Sequence, residues 1–390
     1  MIKLFRVTTV PISLQKLITG QLKYMRSKGF EPLMISANGP EVAQAIKEQE
    51  APHIVISMTR KVTPLKDLIS LWNFYKLCKK NKPDIIHSHT PKAGIISMLG
   101  GKLAGVPVRL HTVAGMPLME AKGIKRRVLE FVEKLTYACA TKIYPNSNVL
   151  KEFVIQNGFC TEDKIKVLGN GSSNGINTNN FTVEALDPKR LQDLKQKLGI
   201  SATDFVFVFV GRLVKDKGIR ELVSAYKILQ LKHKNAKLLL IGPLEQDLDP
   251  LPAETLIDIE SNPNILYVGY QNDVRPYLAI SQVLTFPSYR EGFPNVPMQA
   301  GCYEVPSIVT DINGCNEIII NGENGIIIPT KSIEPLYEAM DCMIEYNDLY
   351  IKLKSNARRM IVERYDQQHF WELLFQEYQI QLSNNEVVLS

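Results

Sequence analysis

The sequence predicts an α/β protein with two doubly wound domains, each a parallel sheet covered by helices on both faces. A length of 390 residues gives room for two or three domains with large cores. Apolar runs rich in β-branched residues alternate with amphipathic stretches along the whole chain, as in repeated βαβ units. Hydrophobic residues make up 45% and charged residues 22%, which excludes disordered, fibrous and disulfide-scaffold proteins.

Short apolar runs predict the strands in two series along the chain. The first series lies near residues 2–8, 32–36, 54–57, 84–87, 107–113, 142–145 and 165–168. The second series lies near residues 205–210, 237–241, 265–268, 282–286, 306–309 and 325–328. Stretches of helical period separate the runs, so each series predicts one parallel sheet with crossover helices.

The domain boundary is predicted between residues 180 and 200. A polar loop, GNGSSNGINTNNF, ends there, and the helix-forming stretch DPKRLQDLKQKLGI begins. We place the linker at residues 181–188, so that the domains are 1–185 and 186–366. The tail, residues 367–390, is an amphipathic helix with no strand after it, and we expect it to pack back on the first domain.

The first half of the chain is strongly basic. Residues 1–185 carry 26 lysines and arginines against 13 acidic residues, a net charge of +13, whereas residues 186–390 carry 20 against 27, a net charge of −7. Excess positive potential attracts an anionic lipid surface, a phosphorylated substrate or nucleic acid. Basic runs interleaved with aromatic residues are missing, so nucleic acid is not an expected partner.

Cysteine usage and the amino terminus indicate a cytoplasmic protein. The six cysteines are scattered, with no CxxC pair and no histidine at metal-ligand spacing, which suits a reducing compartment. The amino-terminal apolar run is too short for a signal sequence, and no stretch approaches the roughly 18 apolar residues of a spanning helix. We therefore expect a cytoplasmic location.

A glycine-bounded loop with two cations follows the strand FVFVFV. Residues 211–218 read GRLVKDKG, and the helical stretch IRELVSAYKILQ comes directly after them. Arg212 offers a bidentate fork and Lys217 a point charge, a pairing that suits a diphosphate at a helix amino terminus. Gly211 lets the backbone turn tightly. An ordinary solvated turn with surface lysines fits these residues equally well.

A second loop follows the strand near residues 282–286. Residues 288–301 read SYREGFPNVPMQAG, so that a carboxylate, Glu291, precedes a glycine and the start of a helix. Such a carboxylate can accept hydrogen bonds from sugar hydroxyls while nearby backbone amides face phosphate. The alternative is that Glu291 only caps the helix or forms an ion pair.

Two other sequence motifs resemble ligand-binding sites, but their context argues against that function. The run GNGSSNG at residues 169–175 has the wrong spacing for a dinucleotide fingerprint and leads into no helix, which argues against a nicotinamide site. Residues 247–249 spell the DxD of metal-dependent transferases, but they lie in a proline-rich acidic loop. We expect neither a bound metal ion nor an organic cofactor.

Taken together, these motifs resemble a known family. The Gly-Arg-x4-Lys loop, the Glu-Gly-Phe-Pro-Asn loop and the run GINT with Phe181 are similar to the retaining glycosyltransferases of family 4, the group 1 nucleotide-sugar transferases. IIHSHT at residues 85–90 and VAG at residues 113–115 extend the resemblance to the first half. It implies the GT-B fold, in which two Rossmann-like domains face each other across a cleft. The subgroup it most resembles acts on undecaprenyl-diphosphate-linked sugars and includes N-acetylgalactosaminyltransferases.

The resemblance also implies roles for individual residues. Arg212 and Lys217 would neutralise the donor diphosphate, and Glu291 would hold hydroxyls of the donor sugar. The other donor-binding positions would be Gly175, Gly211, Gly269, Gly292, Phe293, Pro294, Asn295, Val296 and Gln299. The implied reaction moves a hexose or N-acetylhexosamine from a nucleotide donor, expected to be UDP-linked, to a lipid-diphosphate-linked glycan of bacterial surface polysaccharide such as capsule. It proceeds with retention and without a metal.

The sequence departs from the family pattern in two places. Gln299 stands where the family usually has a second glutamate that reads the nucleotide ribose, so one charge-assisted hydrogen bond is lost. Ala114 stands where the family often has a histidine, and His111 need not point the same way. We take His89 as the substitute catalytic candidate, with a half-buried histidine satisfied by backbone as the alternative.

Two basic amphipathic stretches in the first half of the chain indicate binding to a membrane surface. An apolar stripe at helical spacing, Leu65, Leu68, Ile69 and Trp72, has lysines and arginines around it, and a second cluster consists of Lys122, Lys125, Arg126 and Arg127. Such cations attract an anionic bilayer, so we expect peripheral binding to the inner face of the cell membrane. We expect the stripe itself to pack on the sheet, with only the lysines facing water.

Two other functions remain open on the sequence. A sugar-nucleotide epimerase on the same fold would isomerise the donor without an acceptor. A non-catalytic module that binds sugar or nucleic acid would show no turnover.

Overall fold

The computed structural model describes residues 1–61, 63–119, 121–247 and 249–389. Its contacts divide the chain into two compact units: Met1–Gly175 together with Gln367–Ser390, and Ile176–Asp366. In the described part of the chain, no helix is both long enough and apolar enough to cross a membrane.

The first unit is a six-stranded parallel sheet with the order β3-β2-β1-β4-β5-β6. Its strands are β1 (Ile2–Val7), β2 (Phe30–Ser36), β3 (His53–Val55), β4 (Ile85–His89), β5 (Val108–Val113) and β6 (Lys142–Pro145). The helices are α1 (Pro11–Ile18), α2 (Gln21–Ser27), α3 (Val42–Gln49), α4 (Pro64–Asn81), α5 (Pro91–Ala104), α6 (Gly123–Cys139) and α7 (Asn148–Gln156).

The second unit repeats this topology, with the order β12-β11-β10-β7-β8-β9. Its strands are β7 (Phe205–Val210), β8 (Ala236–Ile241), β9 (Ile265–Tyr267), β10 (Val283–Phe286), β11 (Ser307–Thr310) and β12 (Gly325–Ile328). The helices are α8 (Pro188–Lys197), α9 (Ile219–Lys232), α10 (Ala253–Ser261), α11 (Arg275–Ala279), α12 (Asn295–Cys302), α13 (Cys315–Ile318), α14 (Glu334–Glu345) and α15 (Asn347–Tyr365).

Buried apolar strands explain why the sheets form where the sequence predicts them. Five of the six residues of β7, FVFVFV, are buried, which is typical of a parallel strand covered on both faces. Both sheets are doubly wound, so ligands are expected outside the carboxyl ends of their strands. The predicted strands are confirmed except the one near 165–168, where Ile165 forms a single bridge with Ile143. That strand prediction was wrong because a glycine-rich turn follows Leu168 at once.

The chain leaves the first unit earlier than predicted. The structure divides after Gly175, whereas the sequence placed the linker at residues 181–188. The backbone N–H of Ile176 donates to the carbonyl of Tyr365 over 2.8 Å, and Phe181 packs against the core of the second unit. Residues 176–185 therefore belong to the second unit.

The tail forms α16 (Gln367–Leu389) and packs in the first unit. Phe370, Leu374 and Tyr378 are buried in a core with residues of α1 and α2. Trp371 Nε1 donates to Asn174 Oδ1 over 2.7 Å, so polar contacts fix the helix as well as apolar ones. The buried side chains of this helix recur at intervals of three or four residues, as an amphipathic helix requires.

The apolar stripe on α4 does not pack on the sheet, which corrects the sequence-based expectation. Ser70, Phe74 and Cys78 form the buried face of this helix. The stripe lies on another face. There Leu65 is 79% exposed, Leu68 and Ile69 are each 62% exposed, and Trp72 is 55% exposed. The error arose because apolar spacing marks a helical face without saying which face meets the core.

His111 is one of the buried histidines of the first sheet. His111, on β5, accepts or donates a hydrogen bond at Nδ1 with Ser88 Oγ over 2.8 Å, and it is 2% exposed. Burial lowers the pKa of the His111 imidazole to about 4. The folded chain therefore keeps His111 neutral at pH values at which the unfolded chain protonates it.

We predict that replacing Leu374 by alanine lowers the free energy of unfolding by about 2–5 kcal/mol, because it leaves a cavity in the core beneath α16. Gln376→Ala on the exposed face of the same helix is the matched control and should change it by less than about 0.5 kcal/mol. Urea denaturation measures both. Equal effects of the two variants would contradict the packing of α16.

We also predict that protonation of His111 in the unfolded chain lowers the free energy of unfolding at acidic pH. Its folded pKa lies below the unfolded value of about 6.5, so its contribution is complete above about pH 6.5 and is lost as the pH falls toward about 4. Between these values, His111→Gln should reduce the slope of unfolding free energy against pH by up to about 1.4 kcal/mol per pH unit. Urea titrations at a series of pH values measure the slopes. Parallel slopes for the two proteins would refute the assignment.

Candidate functional site

The loop between β7 and α9 is shaped by one glycine. Residues Lys215–Lys217 form a short 3-10 turn, and Gly218 follows with φ of +69°. A Cβ atom on Gly218 would lie 2.1 Å from the carbonyl oxygen of Pro287, so only glycine fits there. This close approach ties the loop after β7 to the loop after β10, the adjacent strand of the sheet.

Two of the predicted catalytic residues meet at this contact. Lys217 Nζ lies 2.5 Å from Glu291 Oε1 and 3.4 Å from Ser288 Oγ. The side chains of Lys217 and Glu291 are only 13% and 17% exposed. The structure therefore places an ammonium and a carboxylate together, largely out of water, at the carboxyl edge of the second sheet.

Arg212 lies in the same loop but has a different partner. Its Nη1 donates to Glu245 Oε2 over 3.0 Å, and both side chains are substantially exposed. Glu245 follows β8, which is the neighbour of β7 on the other side, and sequence reasoning missed it. An exposed ion pair of this kind contributes at most about 1 kcal/mol, so the guanidinium can exchange Glu245 for an anionic ligand.

The Glu291 loop is held by an Asn-Gly pair that sequence reasoning also missed. Asn313 Nδ2 donates to the backbone carbonyl of Glu291 over 3.3 Å and to that of Gly292. Gly314 has φ of +77°, and a Cβ there would lie 2.7 Å from the Gly292 carbonyl oxygen. The Asn-Gly dipeptide after β11 is the sequence signal that could have indicated this support.

A second set of contacts joins the loop after β7 to the loop after β10, through Asp216. Arg290 Nη2 donates to Asp216 Oδ2 over 2.9 Å, and the Tyr289 N–H donates to the Asp216 carbonyl over 2.8 Å. Tyr289 Oη donates to Glu221 Oε2 over 2.7 Å, and burial, reinforced by that carboxylate, raises the pKa of Tyr289. These contacts fix the register between the cation loop and the carboxylate loop.

The remaining predicted donor residues belong to the second unit, except Gly175, which belongs to the first. Asn295, Val296 and Gln299 are in α12, which begins directly after Pro294, and the Phe293 ring packs 5.6 Å from that of Tyr365. Gly269 follows β9, and its carbonyl accepts a hydrogen bond from the Gly242 N–H over 2.9 Å.

The other predicted glycines lie in loops. Gly211 is in the loop after β7, and Gly292 is in the loop after β10. Gly175 closes the first unit, where its N–H donates to Ser172 Oγ over 3.1 Å.

His89 ends β4 in the first unit and is fully enclosed there. Its Nε2 lies 2.6 Å from a guanidinium nitrogen of Arg6, and the residue is 1% exposed. Burial, followed by the charge of Arg6, lowers the pKa of the His89 imidazole well below its ordinary value. A general base needs a free lone pair, and Arg6 occupies this one, so the geometry opposes that role for His89.

The second cationic cluster lies at the start of α6. Lys122 precedes the helix, and Lys125 and Arg127 are exposed, while Arg126 Nε donates to Glu130 Oε1 over 2.8 Å. On the same helix Ile124 is 81% and Phe131 is 66% exposed. The structure therefore presents large apolar side chains among these cations.

Three acidic residues that could be considered as metal ligands, Asp249, Asp341 and Glu345, have partners within the protein. Leu248 of the DxD sequence lies outside the described residues, and Asp249 Oδ2 accepts from the Asp216 N–H over 2.7 Å. Within the described residues, one other group, His233, Asp341 and Glu345, is compact enough to hold an ion. Lys232 Nζ already lies 3.0 Å from Asp341 and 3.3 Å from Glu345, so a cation occupies that position.

Two family descriptions match the chain in succession. "Glycosyl transferase 4-like domain" matches residues 15–171, within the first unit, and "Glycosyl transferases group 1" matches residues 192–360, within the second. Both matches agree with the resemblance drawn from the two loops.

Curated relatives cover nearly the whole chain. It is 35% identical over 384 residues to the capsular polysaccharide biosynthesis glycosyltransferase CapM of Staphylococcus aureus, with 98% of each chain covered. It is 28% identical over 372 residues to UDP-Gal:alpha-D-GlcNAc-diphosphoundecaprenol alpha-1,3-galactosyltransferase of Escherichia coli, covering 94% of this chain and 93% of the relative. It is 26% identical over 326 residues to N,N'-diacetylbacillosaminyl-diphospho-undecaprenol alpha-1,3-N-acetylgalactosaminyltransferase of Campylobacter jejuni, covering 81% and 83%.

Solved structures confirm the fold. A glycosyltransferase from Rickettsia africae superposes with a TM-score of 0.82 at 21% identity, covering 98% of this chain and 99% of that one. Anabaena Alr3699/HepE in complex with UDP gives a TM-score of 0.79 at 18% identity, covering 97% and 100%. With both halves matched and a relative 35% identical over almost its full length, the chain belongs to the glycosyl transferases group 1 family and is a glycosyltransferase of the GT-B fold.

Proposed function

We propose that this glycosyltransferase moves a hexose or N-acetylhexosamine from a UDP-linked donor to a lipid-diphosphate-linked glycan during assembly of a bacterial surface polysaccharide. The observation that carries the proposal is the contact between Lys217 and Glu291 at the carboxyl edge of the second sheet. The donor is supported by the E. coli relative, whose name includes UDP-Gal, and by the UDP complex of Anabaena Alr3699/HepE. The acceptor is supported by two relatives named for diphospho-undecaprenol substrates.

The cations of the first loop suit the departing diphosphate. Negative charge develops on the nucleotide diphosphate as the sugar leaves, and fixed donors in a water-poor site stabilise that charge most strongly. The side chain of Lys217 is largely buried, and that of Arg212 forms only an exposed ion pair. Helix α9 begins directly after Gly218, so the positive end of its dipole lies at the same loop. We propose that all three act on the diphosphate.

Glu291 suits the donor sugar. Its Oε1 faces Lys217, and the backbone carbonyl of Glu291 accepts a hydrogen bond from Asn313. A carboxylate has lone pairs to accept from several sugar hydroxyls while keeping one contact with the lysine. We propose that Glu291 thereby links recognition of the sugar to placement of the cation on the phosphate.

We further propose that the reaction retains anomeric configuration and requires no metal ion. Arg212 and Lys217 supply positive charge at the diphosphate, which is the electrostatic task a divalent ion performs in other transferases. Attack on the same face as the departing diphosphate would let its oxygen take the acceptor's proton. The rate should therefore be unchanged by EDTA, and NMR of the product should show the donor's anomeric configuration.

We predict that Arg212→Met and Lys217→Met each lower kcat about 100-fold, because each removes one donor from the developing charge. Lys215→Met is the matched control, since Lys215 is an exposed lysine of the same turn, and it should retain activity. Acceptor-dependent release of UDP measures the rates.

The same assay separates the alternatives. An isomerised nucleotide sugar formed without acceptor would instead indicate an epimerase. Undiminished transfer by the Arg212→Met/Lys217→Met double variant would contradict the proposed site.

We also propose that the enzyme binds peripherally to the inner face of the cell membrane. The support is the exposed apolar stripe of α4 and the apolar residues of α6, Ile124 and Phe131, with cations around both. Both helices pack against α5, so they lie on one side of the first sheet. Apolar side chains enter the headgroup region, and each lysine or arginine adds about 1 kcal/mol at an anionic surface.

We predict that the full chain binds phosphatidylglycerol vesicles at low salt and that Trp72 fluorescence shifts to the blue. Trp72→Phe leaves only Trp371, which lies in α16, and reports the background. Replacing Ile124 and Phe131 by glutamine should weaken binding at least tenfold, because their apolar area no longer leaves water. Co-sedimentation measures binding. Equal binding to neutral phosphatidylcholine vesicles, or no binding at all, would remove this part of the proposal.

A further inference from the structure

A buried serine provides the second hydrogen-bond acceptor for the Lys217 ammonium. Ser288 follows β10 and is 0% exposed. Its Oγ lies 3.4 Å from Lys217 Nζ, while Glu291 Oε1 lies 2.5 Å from the same nitrogen. The cation therefore has one charged and one neutral acceptor.

The backbone holds Ser288 beside the lysine. Lys217 directly precedes Gly218, and Ser288 directly follows Pro287, and Gly218 and Pro287 are the residues at which the two loops approach closely. The carbonyl of Ser288 accepts a hydrogen bond from Thr310 Oγ1 on β11, the neighbouring strand. The sheet thus fixes the position of the serine independently of the flexible lysine side chain.

The other contacts of the Ser288 hydroxyl set the direction of its hydrogen bond to the lysine. An ammonium carries three donors and no acceptor, so Ser288 Oγ accepts from Lys217. The one hydroxyl hydrogen is left to donate to the Arg290 carbonyl, 3.1 Å away. The serine thereby connects the cation to the backbone of the carboxylate loop.

Two acceptors orient an ammonium that one acceptor would leave free to turn. A lysine ends in a point charge on a flexible four-carbon stem, so a contact with Glu291 alone does not fix its direction. Glu291 and Ser288 together take two of the three N–H groups, and no third acceptor is found in the part of the chain that the structure describes. The direction of the third N–H is then set by the other two.

The neighbouring thiol of Cys315 remains uncharged. Cys315 is 0% exposed at the start of α13. Burial, followed by the charge of Glu291, raises the pKa of this thiol well above its ordinary value. Cys315 therefore supplies no negative charge that would draw the ammonium away from Glu291 and Ser288.

We propose that Ser288 is a positioning residue, whose hydroxyl holds the Lys217 ammonium toward the diphosphate of the donor. This inference rests on the proposed function, because it requires Lys217 to act on that diphosphate. Ser288 acts through the lysine and makes no contact with the donor itself. Its effect on the binding of a diphosphate should therefore disappear when the ammonium is absent.

A double-mutant cycle with UDP as the ligand tests this dependence. UDP carries the full charge of the departing group. Lys217→Met should weaken UDP binding at least tenfold, and Ser288→Ala should weaken it about fivefold, because the ammonium stays attached to Glu291 but loses its orientation. In the Lys217→Met background, Ser288→Ala should change the Kd by less than twofold. Isothermal titration calorimetry of the full chain measures the four Kd values.

Ser281→Ala is the matched control at the other end of β10. Ser281 is also buried, and its Oγ donates to the Tyr277 carbonyl over 2.7 Å. This substitution should leave the Kd for UDP within twofold in both backgrounds. Thermal melting without UDP compares the folding of the variants. Ser288→Cys, with a weak acceptor of similar size, is the second variant should Ser288→Ala not fold, and it should also weaken UDP binding about fivefold.

The outcomes separate this inference from the proposed function. An unchanged Kd for a folded Ser288 variant, or the same loss of affinity with and without Lys217, would overturn the positioning role and leave the proposed function intact. A wild-type chain that does not bind UDP, or that binds it no better than Lys217→Met, would contradict the proposed diphosphate site, and the role of Ser288 with it.

Discussion

The contact between the Lys217 ammonium and the Glu291 carboxylate is the interaction on which the site depends. Both groups are largely withdrawn from water, and a pair of this kind adds little to folding because desolvation offsets the attraction. We propose that the pair instead positions a cation and a carboxylate that accepts hydrogen bonds from sugar hydroxyls, so that little reorganisation is left for the reaction. The glycosyltransferase family and the geometry of this pair both support the substrate class that we propose, a sugar carried on a diphosphate.

The backbone around the pair explains why it forms. Parallel strands β7 and β10 are neighbours, so their following loops meet at one edge of the sheet. Gly218 permits the close approach to Pro287, and Gly314 permits that of the next loop to Gly292. Asn313 and the contact between Arg290 and Asp216 then hold the two loops in register. Residues of the surrounding loops thus hold the Lys217 and Glu291 side chains in place.

The sequence predicted the strands and the two loops well, because apolar runs and glycine-bounded turns are local signals. It missed Glu245, Asn313 and the partners of Arg6, because these contacts join residues that the topology, and not the spacing, brings together. The stripe of α4 was assigned to the core for a related reason, since periodicity identifies a face but not its neighbour. The unit boundary was set too late because Ile176 pairs with Tyr365, nearly two hundred residues away.

A crystal structure of the chain with UDP bound would show directly whether Lys217 and Arg212 hold the diphosphate. We expect diphosphate oxygens within hydrogen-bond distance of Lys217 Nζ and of the Arg212 guanidinium, and we expect Arg212 to have lost its contact with Glu245. Glu291 should then stand beside the position of the sugar while keeping its contact with Lys217. A diphosphate bound elsewhere, with Lys217 and Arg212 both still in their present ion pairs, would contradict it.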